Sequence, residues 1–493
     1  MRLCRRVLIL VLFELLAAPA HTFAQTAPTQ ATGLPPDAVS WHSVKAGTNQ
    51  LTYSAVAGTL PLFGAKAEVT ANIFYTAYRG GEDATNRPIT FVFNGGPGAA
   101  SAFLQLGAMG PRAIQFTANG AAALKPVQLV DNPDTWLDFT DLVFVDPVGT
   151  GYSRTTAGTD EADRAFHGVD KDADAMANFI QLYLTRTSRE LSPVFLAGES
   201  YGGFRCILLA DRLLRVGIAV RGLALVSPAI EFSMLRGDRY ALLPLALALP
   251  SIAAAHFEMR DGIGTPLDGL REVENFASTS YLSHLVSGLK SSVEIDDKLA
   301  RYTGLPAKVI QRGGGRVTTD LFLREYQENN DRALSSYDAT VSVALPRNEQ
   351  VRFDPILDGA VTVLAPAFSQ YARVELGYRT DLQYRLLNRE ISGHWDFGTT
   401  ATRQGFAGSL DELQRARTQN PSLGVLIIHG FTDLVTPYSI SRYLIDQTPP
   451  IESARPIEFR VYRGGHMMYL RPDSRTALRA DARGFYGRVL GVP

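Results

Sequence analysis

Ser200 sits in Gly198-Glu199-Ser200-Tyr201-Gly202, a G-x-S-x-G pattern. The pattern alone is weak, but its surroundings strengthen it. Residues 193–197 read as a strand immediately before it, and residues 204–209 as a helix after it. That is the context of a nucleophile elbow. The glycines permit a sharp turn, and the serine is held out at a helix N-terminus where amide dipoles favour developing negative charge. A serine hydroxyl attacks a carbonyl only when a base removes its proton, and the base must itself be oriented. In such a chain the acid follows the nucleophile and the histidine comes last. The apolar residues 425–428 run into Gly430-Phe431-Thr432-Asp433, and the next apolar alternation, 457–462, ends in Arg463-Gly464-Gly465-His466. Asp433 and His466 are therefore the candidate acid and base. His429 competes, but it ends its strand beside apolar neighbours and reads as a core histidine. His167, His256, His284 and His394 have no acid at a strand end near them. The oxyanion needs two backbone N–H groups. Tyr201 offers one, and the Gly-rich loop Asn94-Gly95-Gly96-Pro97-Gly98 after the apolar residues 91–93 offers the other. A plain tight turn is the alternative reading of that loop.

Loops of this kind need strands to aim them. Short apolar runs recur at 89–93, 142–145, 194–197, 223–226, 425–428 and 457–461, several followed by helical stretches such as 170–185 and 204–216. Apolar runs separated by helices predict an α/β fold, a mostly parallel sheet with helices on both faces. Alternation within 51–78 predicts antiparallel strands at its edge. Between the fourth and fifth runs lie about 190 residues with little strand signal. Residues 239–257, broken by Pro244 and Pro250, read as a buried helical hairpin whose pieces are too short to cross a bilayer. Helical periodicity recurs at 273–289, 293–302, 319–330 and 369–387, so this stretch reads as an inserted helical cap. Gly313-Gly314-Gly315 lacks the following Lys-Ser/Thr of a phosphate cradle and reads as a turn. The expected organisation is a signal peptide (1–24), a flexible lead-in (25–40), the first part of the sheet domain (41–230), the cap (231–395) and its second part (396–493).

The 493 residues, 46% hydrophobic and 20% charged, exclude a disordered, collagen-like or multi-span membrane chain. A formal charge of -1 leaves no electrostatic footprint for nucleic acid. Eight His and two Cys include no C-x-x-C or H-E-x-x-H, so neither a metal site nor any other cofactor is implied. Arg2, Arg5 and Arg6 precede an apolar run of 14 residues (7–20), and small residues follow up to Ala24. Because a membrane span needs about 20 residues, this reads as a cleaved export signal, with a periplasmic or secreted product and no stable membrane anchor. Cys4 leaves with the signal, and Cys206 alone cannot form an intrachain disulfide.

Taken together, the motifs resemble the serine carboxypeptidase family, the group of carboxypeptidase Y and cathepsin A. The resemblance rests on Asn94-Gly95-Gly96-Pro97-Gly98, Gly110-Pro111, the segment 144–153, Gly198-Glu199-Ser200-Tyr201-Gly202-Gly203 and Gly465-His466-Met467, in the family's order. The cap and the scarcity of cysteine look more like a bacterial branch, and Ala99 stands where the vacuolar and lysosomal relatives keep a cysteine. The resemblance implies an α/β-hydrolase fold and removal of C-terminal amino acids from peptides with a free C-terminus through an acyl-enzyme. An esterase or acyltransferase on the same triad is the alternative, and a non-catalytic binding protein the more distant one. Carried over by residue, Ser200, Asp433 and His466 form the triad, Gly96 and Tyr201 the oxyanion hole, and Asn94, Gly95 and Glu199 bind the substrate carboxylate. Two like charges about 4 Å apart cost roughly 4 kcal/mol at an effective dielectric of 20, so Glu199 serves only as the neutral acid. The resemblance also implies a second glutamate two residues before Gly110, where this chain has Ala108. Either another acid replaces it or a cation such as Arg112 or Arg205 helps hold the carboxylate. A weaker preference for acid pH is the expectation.

Overall fold

Strands that are apolar along their whole length must be covered from both sides, and this requirement organises the sheet. The computed structural model describes residues 33–491 except 48, 82–85, 123–127, 236–239, 263, 290–291, 327–331, 345–352 and 399–406. The expected signal peptide and the first half of the expected lead-in lie outside the described residues. The sheet contains β1 (Ala38–Ala46), β2 (Asn49–Phe63), β3 (Val69–Gly80), β4 (Ile89–Phe93), β5 (Asp141–Val145), β6 (Val194–Glu199), β7 (Val220–Val226), β8 (Gly424–Gly430) and β9 (Ile457–Tyr462). Their spatial order is β1-β2-β3-β5-β4-β6-β7-β8-β9, with the short strand Arg154–Thr155 beside β3. The edge from β1 to β5 is antiparallel, and β5 to β9 run parallel. This order and these directions are those of the α/β-hydrolase fold. β1 starts at Ala38, so the stretch expected to be lead-in already belongs to the sheet by residue 38.

β4, β5, β6 and β8 are buried at every position. Alternate residues divide between two cores. On one face Phe91, Val143, Leu196, Leu225 and Ile427 meet Phe179 and Ile180 of α1 (Val169–Arg186) and Ile207 and Leu209 of α2 (Tyr201–Arg215).

The chain between β7 and β8 is mostly helical. Residues 239–257 do not form the expected hairpin: α3 (Leu242–Asp261) runs unbroken through Pro250. Pro244 falls in its first turn, where an N–H has no intrahelical partner, and burial on every side compensates the single hydrogen bond that Pro250 removes. Its 20 residues are long enough to cross a bilayer, contrary to expectation, yet Leu249, Ile252 and Ala253 pack against Val273, Phe276 and Leu299 inside the protein. Helical structure follows over Leu270–Phe276, Ala277–Tyr281 and Leu282–Val286, and over Val293–Thr303. The region also holds a small antiparallel pair, Arg332–Leu334 with Ser342–Ala344, which no strand pattern announced. The helix expected at 369–387 is displaced to α4 (Leu357–Val374), and Gly377, at φ 76°, turns the chain soon after it. Leu364 and Phe368 of α4, with Leu478 and Phe485 of α5 (Pro472–Leu490), cover the second face of the sheet.

Phe195 of β6 lies in that second core, stacked on Tyr486 at 4.0 Å between ring centroids. A side chain on Gly222 would come 2.6 Å from the Phe195 ring, and one on Gly424, its partner across β7 and β8, 2.9 Å from Phe485. The two glycines leave a trough in which the aromatic rings seat directly on the sheet. Phe195→Ala empties this seat and is expected to lower unfolding stability by about 3–5 kcal/mol, measured by urea denaturation.

Candidate active site

Chain order reverses at β4: β5 pairs on one side of it and β6 on the other. Loops leaving the carboxyl ends of strands at such a point diverge and open a crevice. Phe93, the last residue of β4, stands in register with Gly198 near the end of β6, so the loop 94–98 and the turn at Ser200 emerge side by side.

Ser200 adopts φ 57° and ψ -123°, a conformation that costs a non-glycine residue about 1–3 kcal/mol. Its surroundings hold it there. Its N–H donates to the Val226 carbonyl at 2.9 Å, and its own carbonyl accepts from Gly203 at 3.0 Å and Ala229 at 3.2 Å. A Cβ on Gly95 would lie 2.7 Å from both the Glu199 carbonyl oxygen and the Tyr201 nitrogen. Gly202 abuts the Phe93 carbonyl, and Gly198 the Gly202 carbonyl, as closely. Gly96 has φ 101°. Among the described residues, neither the Gly96 nor the Tyr201 N–H donates to the backbone of a loop or turn.

Asp433 and His466 follow β8 and β9. Asp433 Oδ2 lies 2.9 Å from His466 Nδ1 and accepts from the Thr436 hydroxyl at 2.7 Å, while Oδ1 accepts from the Val435 and Thr436 amides at 2.8 and 2.9 Å. Burial alone raises a carboxyl's pKa, but the His466 charge and these hydrogen bonds outweigh it and hold Asp433 below its ordinary value. Burial likewise opposes a charged imidazole, yet Asp433, then Glu199, raise the His466 pKa above 6.5. His429 takes no part: it is fully buried in β8, stacks on Phe459 at 5.7 Å, and burial drives its pKa down to about 4.

Ser200, His466 and Glu199 line one cavity of about 40 Å3 with Asn94, Gly95 and Gly96. Phe103, Tyr337, Leu357, Leu387 and Met467 make its apolar wall. All the residues singled out in the sequence thus converge here except Asp433, behind His466, and Tyr201, whose ring packs against Phe204 and Trp395 while its amide faces the elbow. Glu199 accepts hydrogen bonds from the Asn94 side-chain amide and from the Tyr469 hydroxyl, the latter at 2.8 Å. Burial pushes its pKa up to about 7, against the opposing influence of His466 and Tyr469. No second acid is needed for that, and neither expected cation touches Glu199. Arg112 pairs with Asp131 and Glu375. Arg205 pairs with Asp172 at 2.6 Å and donates to the Asn94 carbonyl at 2.9 Å, so it braces the loop from beneath.

Thr436, Tyr469 and Tyr337 escaped sequence reading. Thr436 three residues after Asp433 has the spacing of a local side-chain turn, and Tyr469 follows His466 by three, so both were within reach. Tyr337, whose ring stands edge-on to His466 at 5.1 Å, comes from the inserted region and has no sequence signal.

Strand order and elbow place the protein among the α/β-hydrolase folds. Within it, residues 50–216 match the family model described as serine carboxypeptidase, a segment that holds the loop 94–98 and Ser200 and ends before Asp433. The chain is 28% identical over 170 residues to serine carboxypeptidase-like 45 of Arabidopsis thaliana, 33% of this chain and 34% of that one. It is 29% identical over 149 residues to the pheromone-processing carboxypeptidase KEX1 of Metarhizium acridum, 30% and 22% of the two chains. The alignments span about a third or less of these relatives' lengths. Among solved structures, proline iminopeptidase of Mycobacterium smegmatis is similar at 14% identity and a TM-score of 0.36, over 88% of this chain and 98% of that one.

Gly95→Ala places a methyl group against the elbow, and Glu199 and Tyr201 must shift to admit it. A fall in kcat/KM of about a hundredfold or more is expected from a misplacement near 1 Å, with the urea midpoint of the folded protein changed far less.

Proposed function

We propose that the protein is a serine carboxypeptidase that releases C-terminal amino acids from peptides. The observation that carries this reading is Glu199: a buried carboxyl, held by Asn94 and Tyr469, in the wall of the cavity that Ser200 and His466 share. An esterase needs the triad and oxyanion donors but has no use for such a group. The neutral Glu199 acid and the Asn94 and Gly95 groups receive the terminal carboxylate, which sets the last peptide bond against Ser200. His466, oriented by Asp433, takes the Ser200 proton as the hydroxyl attacks, and the Gly96 and Tyr201 amides receive the oxyanion. His466 then protonates the departing amino group, and in the second step removes a proton from the water that hydrolyses the acyl-enzyme. The basic, apolar and small-residue order of residues 1–24 supports export of the chain.

The cavity of about 40 Å3 is a narrow slot open to solvent, walled beside Ser200 by Tyr337, Leu357 and Leu387.

Two titrations bound the working range. Glu199 is neutral below about 7 and ionised above it, so the charge meeting a substrate carboxylate turns repulsive as pH rises. His466, raised above 6.5, becomes charged as pH falls and then accepts no proton from Ser200. Each ionised group favours the charge on the other, so the two limbs belong to the pair. On a blocked dipeptide with a free carboxylate, kcat/KM should follow a narrow bell with KM rising on the alkaline side from about pH 7. The C-terminally amidated peptide should be cleaved far more slowly at the optimum and show no such alkaline rise in KM. Equal activity on both substrates with the same pH dependence would point to the esterase or acyltransferase instead. A fluorophosphonate probe should label the wild-type protein at Ser200 and leave Ser200→Ala unlabelled, whereas a non-catalytic binding protein would take up no label.

A further inference from the structure

Residues 335–339 run between the loops that carry the acid and the histidine, and their backbone bonds to both. The Leu434 amide donates to the Ser336 carbonyl at 3.1 Å, the Ala339 amide to the Thr432 carbonyl at 3.2 Å, and the His466 amide to the Tyr337 carbonyl at 2.5 Å. A side chain on Gly465 would collide with that same Tyr337 carbonyl, so this segment and the histidine loop lie in direct backbone contact.

Within this segment, which joins the two short strands Arg332–Leu334 and Ser342–Ala344, Asp338 is 4% exposed. Its Oδ1 accepts from the Thr432 hydroxyl at 2.7 Å, and Thr432 immediately precedes Asp433. Its Oδ2 accepts from Arg471 Nη2 at 2.8 Å and Nε at 3.2 Å. Arg471, 3% exposed and five residues beyond His466, also pairs with Glu258 at 2.5 Å. Glu258 lies in the last turns of α3, fully buried, with Arg463 at 3.5 Å on its other oxygen. A carboxylate, a guanidinium and a second carboxylate thus link α3, the turn between the two short strands, the acid loop and the histidine loop. None of them lines the cavity of Ser200.

We infer that Asp338 is a positioning residue for the triad: through Thr432 and Arg471 it holds the Asp433 and His466 loops in register, with Glu258 tying that register to α3. An unpaired charge left in such a network is strongly unfavourable, so the geometry has few alternatives. The inserted region then supplies part of the frame of the catalytic pair, besides covering the site. This rests on the serine-hydrolase reading above.

The titratable groups around His466 are Asp433 on the acid loop, Glu199 on the elbow, the Tyr337 ring edge-on at 5.1 Å, His429 of β8 and, farther off, Asp354, itself held by Ser335 and Ser336. Of these, only the Asp433 contact depends on Thr432. Thr432→Val keeps the shape and removes the hydroxyl. The Asp433 loop slackens, the bond to His466 Nδ1 lengthens, and the His466 pKa falls because burial is then less opposed.

The test is the second-order rate of Ser200 labelling by a fluorophosphonate as a function of pH, which needs no knowledge of the substrate. Thr432→Val should label about tenfold more slowly on its plateau, the order of loss expected when a base is displaced by a fraction of an ångström, and its acid limb should move to lower pH. Thr432→Ser, which keeps the hydroxyl, should restore both rate and limb. Asp338→Asn should repeat the Thr432→Val pattern and serves where the valine variant fails to fold. A variant that only loses thermal stability, with rate and limb as in the wild type, would overturn the positioning role and leave the triad intact. Absence of Ser200 labelling in the wild type would overturn the triad reading itself, and this inference with it.

Discussion

The site depends on a contact that tolerates no side chain. Gly95 meets Glu199 and Tyr201, Gly202 meets the end of β4, and Gly198 meets Gly202, all without room for a Cβ. Backbone therefore lies against backbone where two neighbouring strands end. This closeness sets Gly95 against the Tyr201 amide and the Asn94 side chain beside Glu199. It also keeps Ser200 at a positive φ, because the carbonyl and amide of the turn are tied to β7 and to the loop after it. The sheet supplies the spacing, and the glycines allow the approach.

Around this contact, buried charge is arranged so that each group has a reason to be where it is. Arg205 is neutralised by Asp172 and sandwiched near the Phe93 and Tyr201 rings, so its guanidinium can brace the Asn94 carbonyl inside the protein. Asp433 is ionised because four hydrogen-bond donors surround it. Glu199 forms no ion pair with Arg or Lys among the described residues, and burial, opposed by His466, favours its neutral form. Two carboxyls of the same site are thus driven in opposite directions by their surroundings, and on the proposed reading one orients a base while the other donates a hydrogen bond. Cys206 is the only described cysteine and lies buried beneath the elbow, so the described part of the chain is held by packing and these ion pairs without a disulfide.

Much of this was legible in the sequence, for identifiable reasons. Most of the parallel strands announced themselves because fully buried strands carry no polar alternation; Ser200 and Asp433 stood out because each follows such a run, and His466 because it follows the half-buried alternation of β9. Other features were hidden. Pro250 suggested a break, but a helix buried on all sides absorbs one missing hydrogen bond. α4 was misplaced by more than a turn because its apolar positions continue into the extended residues that follow. Ala108 suggested that Glu199 had lost what raises its pKa, whereas burial supplies the shift, and burial at a loop junction has no linear signature. Tyr337 and Asp338 reach the triad across about 95–130 residues of chain, from a stretch whose local pattern names no chemistry.

The wall of the cavity divides the labour in another way. Tyr337, Leu357 and Leu387 come from the chain between β7 and β8, whereas Ser200, Glu199 and His466 stand where strands of the sheet end. Tyr337 belongs to both sides of that division, since its ring stands against His466 and its carbonyl accepts from the His466 amide. On the proposed reading, a substitution of Leu357 or Leu387 reshapes the room for a substrate side chain and leaves the reacting groups in place, whereas one at Tyr337 alters both.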